Sequence, residues 1–235
     1  IIFQSLCVTA IAVAPTLLRA PLLCAILALA LPMDPEVYAL PQYTFWWTTI
    51  LLLIAAIWNG SANNPLRHMF IVIGALSSPL SIVMIPVFIL SIVLRRRWKK
   101  DIPSLILLLI IAIVQLYFVV DTNSASRPDF SLVQIIEVIT RFFAGMTIAY
   151  QTPIATFAAL AILGLFATGW RAIEGDDRVG YLVTATFVCG AIAAGILRVQ
   201  IELIAPTGNA PRYFFLPLIG MSWMLVWLVH APSAL

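Results

Sequence analysis

Two arginines, Arg198 and Arg212, bracket the short turn "IAPTGNAP" (204–211) between two long apolar runs, and Tyr213 follows the second directly. A guanidinium fork binds phosphate oxygens bidentately, and the low dielectric near a membrane strengthens the contact. Two forks framing one turn therefore point to an anion site, and the anion at that depth is a lipid phosphate or pyrophosphate. The plainer account is that both arginines snorkel to water and that Tyr213 is an interfacial aromatic. Upstream, "LPMDPEVYALPQYTFWW" (31–47) carries Asp34 and Glu36 between prolines, in an extended turn. Paired carboxylates there suit a general base or metal ligands, or are simply solvated.

A third group lies in "FSLVQIIEVITRFF" (130–143). Ser131, Gln134, Glu137 and Arg141 recur at spacings of three, three and four, which places them on one stripe of an otherwise apolar helix. Glu137 and Arg141 also stand in the favourable order for an i,i+4 ion pair. Glu202 follows Arg198 by four, on the same helical face. These residues make either the wet face of a surface helix or, with Gln134, Glu137, Arg141 and Glu202 inward, the wall of an outward-facing cleft. Cys7, Cys24 and Cys189 sit within apolar runs without metal-ligand spacing, and His68 and His230 lie at segment ends. No cofactor is predicted, and the sequence does not support a divalent cation.

The elements that must position these residues are membrane helices. The chain is 63% hydrophobic and 10% charged over 235 residues, with a mean hydropathy of +1.06. Soluble domains carry about a quarter charged residues, so the composition excludes that class. The long runs lack strand alternation, which excludes a lipid-facing barrel. Apolar segments fall at 1–18, 22–33, 43–58, 69–94, 102–120, 150–170, 179–197 and 213–230. The predicted fold is all-α, a polytopic bundle of about seven spans with a re-entrant helical hairpin and an interfacial amphipathic helix at 130–143. Ala191 and Gly195, four apart, are read as a packing face for a neighbouring helix.

The hairpin is read at 69–94, whose alternative is one long, kinked span. "SSP" (77–79) interrupts it, and a proline there ends or kinks a helix. Arg67 and His68 precede it and "RRRWKK" (95–100) follows it. Returning the chain to its starting side places Arg19, Arg67, Arg95, Arg96, Arg97, Lys99, Lys100, Arg171 and Arg178 on the cytosolic side, in accord with the positive-inside rule. Arg127, Arg141, Arg198 and Arg212 then lie outside, with Asp34, Glu36, Asp121, Asp129, Glu137 and Glu202. "RRRWKK" is thus explained by topology, and a net charge of +3 does not call for nucleic acid. The chain opens at Ile1 inside apolar sequence, without a Met or a charged leader, and reads as one transmembrane domain from the C-terminal part of a longer protein.

Three stretches resemble a bacterial group of multispan proteins related to lipid-linked-sugar glycosyltransferases of the GT-C fold. "PEVYALPQYTFWWTTILLLI" resembles that group's acid-bearing outer loop and aromatic-headed span. "IGALSSPLSIVMIPVFILSIVLRRR" resembles its hairpin closing on a basic turn, and "APRYFFLPLIGMSWMLVWL" its late Arg-Tyr-Phe segment. The resemblance covers about a quarter of the chain. It implies a polyprenyl-phosphate sugar donor, inverting transfer on the outer face of the bacterial inner membrane, and a role in cell-envelope polysaccharide synthesis. Arg212 and Tyr213 match the pair that would hold the donor phosphate. Asp34 and Glu36 match only a secondary acidic loop; the main catalytic acid of that fold lies in its first outer loop, and this chain begins after that point or lacks it. The expected partners are membrane lipids and a lipid-linked sugar. The alternatives are a lipid or small-molecule transporter and a non-catalytic subunit held by a membrane-protein partner.

Overall fold

The computed structural model describes residues 2–14, 20–31, 35–122, 131–144, 154–199, 204–205 and 211–231. Every regular element among them is helical. In order they are α1 (Ile2–Ala12), α2 (Pro21–Ala30), α3 (Pro35–Ala39), α4 (Thr44–Ile57), α5 (Pro65–Ser77), α6 (Ser81–Arg95), α7 (Trp98–Thr122), α8 (Leu132–Ala144), α9 (Ile154–Gly169), α10 (Gly175–Arg198) and α11 (Phe215–Val229). Among the described residues, four stretches are long and apolar enough to cross a membrane: Trp98–Phe118, Ile154–Ala172, Gly175–Arg198 and Pro211–Val229. Helices are what such runs must form, since in hydrocarbon each backbone N–H and C=O needs a partner within its own segment.

α4 is the hub. Every residue from Trp46 to Ile57 is buried, and the helix packs against α1, α5, α6, α10 and α11. Contacts at its C-terminal end define one pole of the bundle. Arg67 of α5 is 3% exposed; its Nε donates to the Ala55 carbonyl (3.0 Å), and its Nη1 pairs with Asp101 of α7. Arg95, the last residue of α6, donates to the Ile57 carbonyl (2.7 Å). Arg97 reaches the Asn59 carbonyl (3.2 Å), and Asp176 in the first turn of α10 acts electrostatically on Arg95. Arg178 sits over the Trp170 ring in the turn before α10. The cations thus collect at the pole where α4 and α6 end and α5, α7 and α10 begin.

At the opposite pole the 35–47 segment is tied down over α4 and α11. Trp47 Nε1 donates to the Val37 carbonyl (3.0 Å), and the Tyr38 hydroxyl lies 3.3 Å from the Ala28 carbonyl. Tyr38 also meets Trp47 and Phe215 edge-on. Its burial there raises the phenol pKa above the usual value.

α5 and α6 start and finish at the cationic pole. Pro79 disfavours the helical conformation at Ser78, which is extended at φ −135°, ψ 127°, and the chain turns back. Ser78 Oγ accepts from the Leu80 N–H (3.2 Å) and from Thr49 Oγ1 in α4 (2.9 Å), so the turn is pinned to the hub. A Cβ on Gly74 would stand 2.5 Å from Leu52 Cγ and 2.7 Å from the Thr48 carbonyl, so only glycine lets α5 approach α4 this closely. At 13 and 15 residues, α5 and α6 are about 20 and 22 Å long, short of the roughly 30 Å of a hydrocarbon core.

Outward faces are apolar. Ile106, Ile110, Ile113 and Tyr117 form an exposed stripe along α7, and Ile154, Phe157 and Leu160 another on α9. Such stripes are liabilities in water and ordinary surfaces in lipid.

Candidate functional site

Because the α5–α6 turn stops at the second turn of α4, space remains above it. A cavity of about 290 Å³ lies there, lined by Phe45 and Trp46 of α4, by Ser77, Pro79 and Leu80 of the turn, by Ala191, Ala194, Gly195 and Arg198 of α10, and by Tyr213. Its body is apolar, with Arg198, an exposed residue, as its charged member. Ala191 and Gly195 are therefore more than a packing face. A Cβ on Gly195 would meet Tyr213 Cδ1 only at 3.6 Å, an ordinary contact, so the missing side chain opens room. The close helix approach falls instead at Gly190, where a Cβ would come within 2.3 Å of Val83 Cγ1. Tyr213 meets Trp46 edge-on at 5.6 Å, and the Trp46 indole N–H, though buried, has no hydrogen-bond partner among the described residues.

Arg212 stands beside this cavity and is already engaged. Its Nη1 lies 3.2 Å from the Tyr43 hydroxyl and 3.7 Å from Glu36 Oε2, and its guanidinium lies 5.4 Å from the Tyr43 ring centroid and 5.7 Å from that of Tyr213. The arrangement clamps α3 and the following turn to the start of the last helix. Tyr213 thus links two groups: Arg212 and Glu36 on one side, the cavity with Arg198 on the other. Asp34 and Glu202 lie outside the described residues.

The stripe on α8 is used locally. Ser131 donates through its N–H and its hydroxyl to Gln134 Oε1 (3.0 Å each), while the Gln134 N–H donates to Ser131 Oγ (3.2 Å). That is a capping box, which satisfies N–H groups the first helical turn leaves free. Glu137 and Arg141 pair at 2.5 Å, and Arg141 Nη1 also donates to the Ile204 carbonyl (2.9 Å), fastening α8 to the segment after α10. Val138 and Phe142 are buried beside this stripe, where Phe142 stacks on Phe214 at 4.4 Å. α8 therefore backs the α10 wall of the cavity, and none of Gln134, Glu137 or Arg141 lines it.

Spacing in sequence identified Arg198 and Tyr213 but not Phe45, Trp46, Pro79, Leu80 and Ala194, which are apolar residues among many others. A signal existed at one of them: the proline break that halts the hairpin also creates the space. The buried Arg67–Asp101 pair carried no signal, because the two residues are far apart in the chain. His68 lies between the Asn64 carbonyl (3.2 Å) and Ser104 Oγ (3.3 Å). No three His, Cys, Asp or Glu side chains converge among the described residues. No protein-family model, curated protein or solved structure matches the chain.

Proposed function

We propose that the protein binds a phosphate-bearing isoprenoid lipid at the outer end of the bundle and acts as a GT-C-like membrane glycosyltransferase on a polyprenyl-phosphate-linked sugar. In this arrangement the cationic pole faces the cytosol of a bacterial inner membrane. α5–α6 is re-entrant from that side among about seven spans, and α8 lies in the outer interface. The observation that carries the proposal is the cavity over the hairpin turn, which matches an amphiphile in having apolar walls and a guanidinium at one end. Arg198 meets the lipid phosphate, and the clamped Arg212 adds positive potential from behind Tyr213. In an inverting transfer the acceptor hydroxyl oxygen bonds to the anomeric carbon as the sugar–phosphate bond breaks. The acceptor's proton passes to Glu36, which is half-exposed at this end, or to Asp34, and the lipid phosphate departs as the anion.

The test is retention of a polyprenyl phosphate by the purified protein in nanodiscs, read by native mass spectrometry, followed by transfer from the corresponding lipid-linked sugar. Arg198→Gln should lower retention about ten-fold, and Arg198→Lys should restore it only in part because the fork is lost. Gly195→Leu should abolish retention by filling the cavity while leaving the fold intact. Equal retention by all three and the parent protein would remove the lipid-phosphate role.

Transport is a second reading, supported by one specific observation. α1 and α2 form another pair of short helices, of 11 and 10 residues, and Gln4 Nε2 donates to the Val37 carbonyl (3.5 Å), so this pair opens toward the pole opposite to that of α5–α6. Opposed broken helices around one hub are a transporter device. Substrate flux in proteoliposomes, absent under the first reading, separates the two.

A further inference from the structure

The cationic pole holds a second, larger cavity of about 560 Å³, lined by Asn59, Gly60, Ser61, Ala62, Asn63, Arg97 and Lys100. α4 separates it from the outer cavity: Phe45 and Trp46 line one, and the loop after Ile57 lines the other. Its wall is built. α6 ends on Arg96 in the left-handed conformation (φ 54°, ψ 32°), which is strained for a non-glycine residue and is held by the Arg96 N–H bonding back to the end of the helix. That reversal carries Arg97 back over the loop, where Nη1 lies 3.2 Å from the Asn59 carbonyl and 3.5 Å from that of Gly60. A Cβ on Gly60 would stand 2.8 Å from Trp58 Nε1, so any other residue here displaces the indole. The lining therefore combines two cations with small amide and hydroxyl side chains. No Asp or Glu belongs to it.

Positive-inside topology accounts for cations on this side, but it does not require two of them to wall a pocket with an Asn-Gly-Ser-Ala-Asn loop. We infer that this pocket is an anion site for a phosphate or pyrophosphate group, held by the Arg97 fork and the Lys100 ammonium, with Ser61 and Asn63 as neutral donors. The bearer of the phosphate is either an anionic lipid headgroup of the inner leaflet or a soluble phosphate compound of the cytosol. The inference does not depend on the outer site.

The experiment uses purified protein in phosphatidylcholine nanodiscs, with inorganic pyrophosphate titrated calorimetrically, and a parallel set of discs that also contain phosphatidylglycerol, scored for retained lipid by native mass spectrometry. Lys100→Gln alters a side chain at the cavity wall and should weaken binding about ten-fold, the effect of losing one charge-assisted contact. Arg97→Gln should weaken it at least as much, with thermal unfolding followed to separate a loosened loop from a lost ligand. Lys99→Gln, an exposed cation of the same pole outside the cavity lining, should leave binding unchanged. Pyrophosphate bound in phosphatidylcholine discs identifies a soluble ligand; retained phosphatidylglycerol alone identifies a lipid. Binding of neither probe, or binding that Lys100→Gln and Arg97→Gln leave intact, overturns the inference.

Discussion

Arg67 and Arg212 show how burial decides what an arginine does. Arg67 is enclosed and carries its counter-charge with it, Asp101, so neutralising one partner strands the other in low dielectric. Asp101→Asn should destabilise the protein by about 3–5 kcal/mol. The check is thermal or denaturant unfolding in detergent, and replacing both residues by Met and Leu should recover most of the loss if the cost is an uncompensated charge. Arg212 is different. Its side chain is 31% exposed and its partner Glu36 48% exposed, so the ion pair is screened and Glu36→Gln should change stability by less than about 1 kcal/mol. The two tyrosine rings beside Arg212 contribute more through stacking, so Arg212→Lys should cost more than Glu36→Gln in the same assay. The reverse order would place the stabilisation in the charge pair.

Among the elements, the α5–α6 pair is the one whose geometry the site depends on. Gly74 sets its distance from α4 and Ser78 sets its height. Gly74→Val should push α5 away from Thr48 and Leu52, lower thermal stability by about 1–3 kcal/mol as overpacking does, and reduce retention of polyprenyl phosphate by moving the cavity floor. Gly195→Ala, where a Cβ meets only ordinary contacts, should leave stability within about 0.5 kcal/mol of the parent. A large loss there would show that α10 and Tyr213 pack more tightly than the distances state. α8 belongs to this scale as well. Its charged stripe is consumed by its own cap, its own ion pair and a tether to Ile204, so its contribution is to brace α10.

For the whole molecule, the distribution of charge between the poles predicts an orientation that can be tested. With Cys189 replaced, single cysteines at positions 36, 63 and 99 should divide into two classes toward a membrane-impermeant maleimide. Positions 63 and 99 should be modified from the cytosolic side and position 36 from the outer side. A single span through 65–95 predicts that 63 and 99 react from opposite sides, which would leave no shelf beneath the outer cavity. Two cavities of different character, one apolar with an arginine and one lined by polar and cationic residues, lie at opposite ends of a helix about 21 Å long.

The sequence by itself determined the class, all-α with long apolar helices, but the extended turn expected around Glu36 is a short helix, Pro35–Ala39. A chain with so few charges and so many apolar runs has one way to satisfy its backbone in lipid, and the Ser-Ser-Pro break and the basic turn are local signals read within a few residues of where they act. It also singled out Arg198 and Tyr213, which line one cavity. Tertiary structure alone decided that Asp101 neutralises Arg67, that Arg212 is taken up by Glu36 and two tyrosines, that Gly195 opens a cavity while Gly190 closes a contact, and that Arg97 folds back over Asn59. Each of these joins residues distant in the chain and otherwise indistinguishable from their neighbours. Periodicity assigns a residue to a face of its own helix; which partner that face meets depends on how all the helices pack at once.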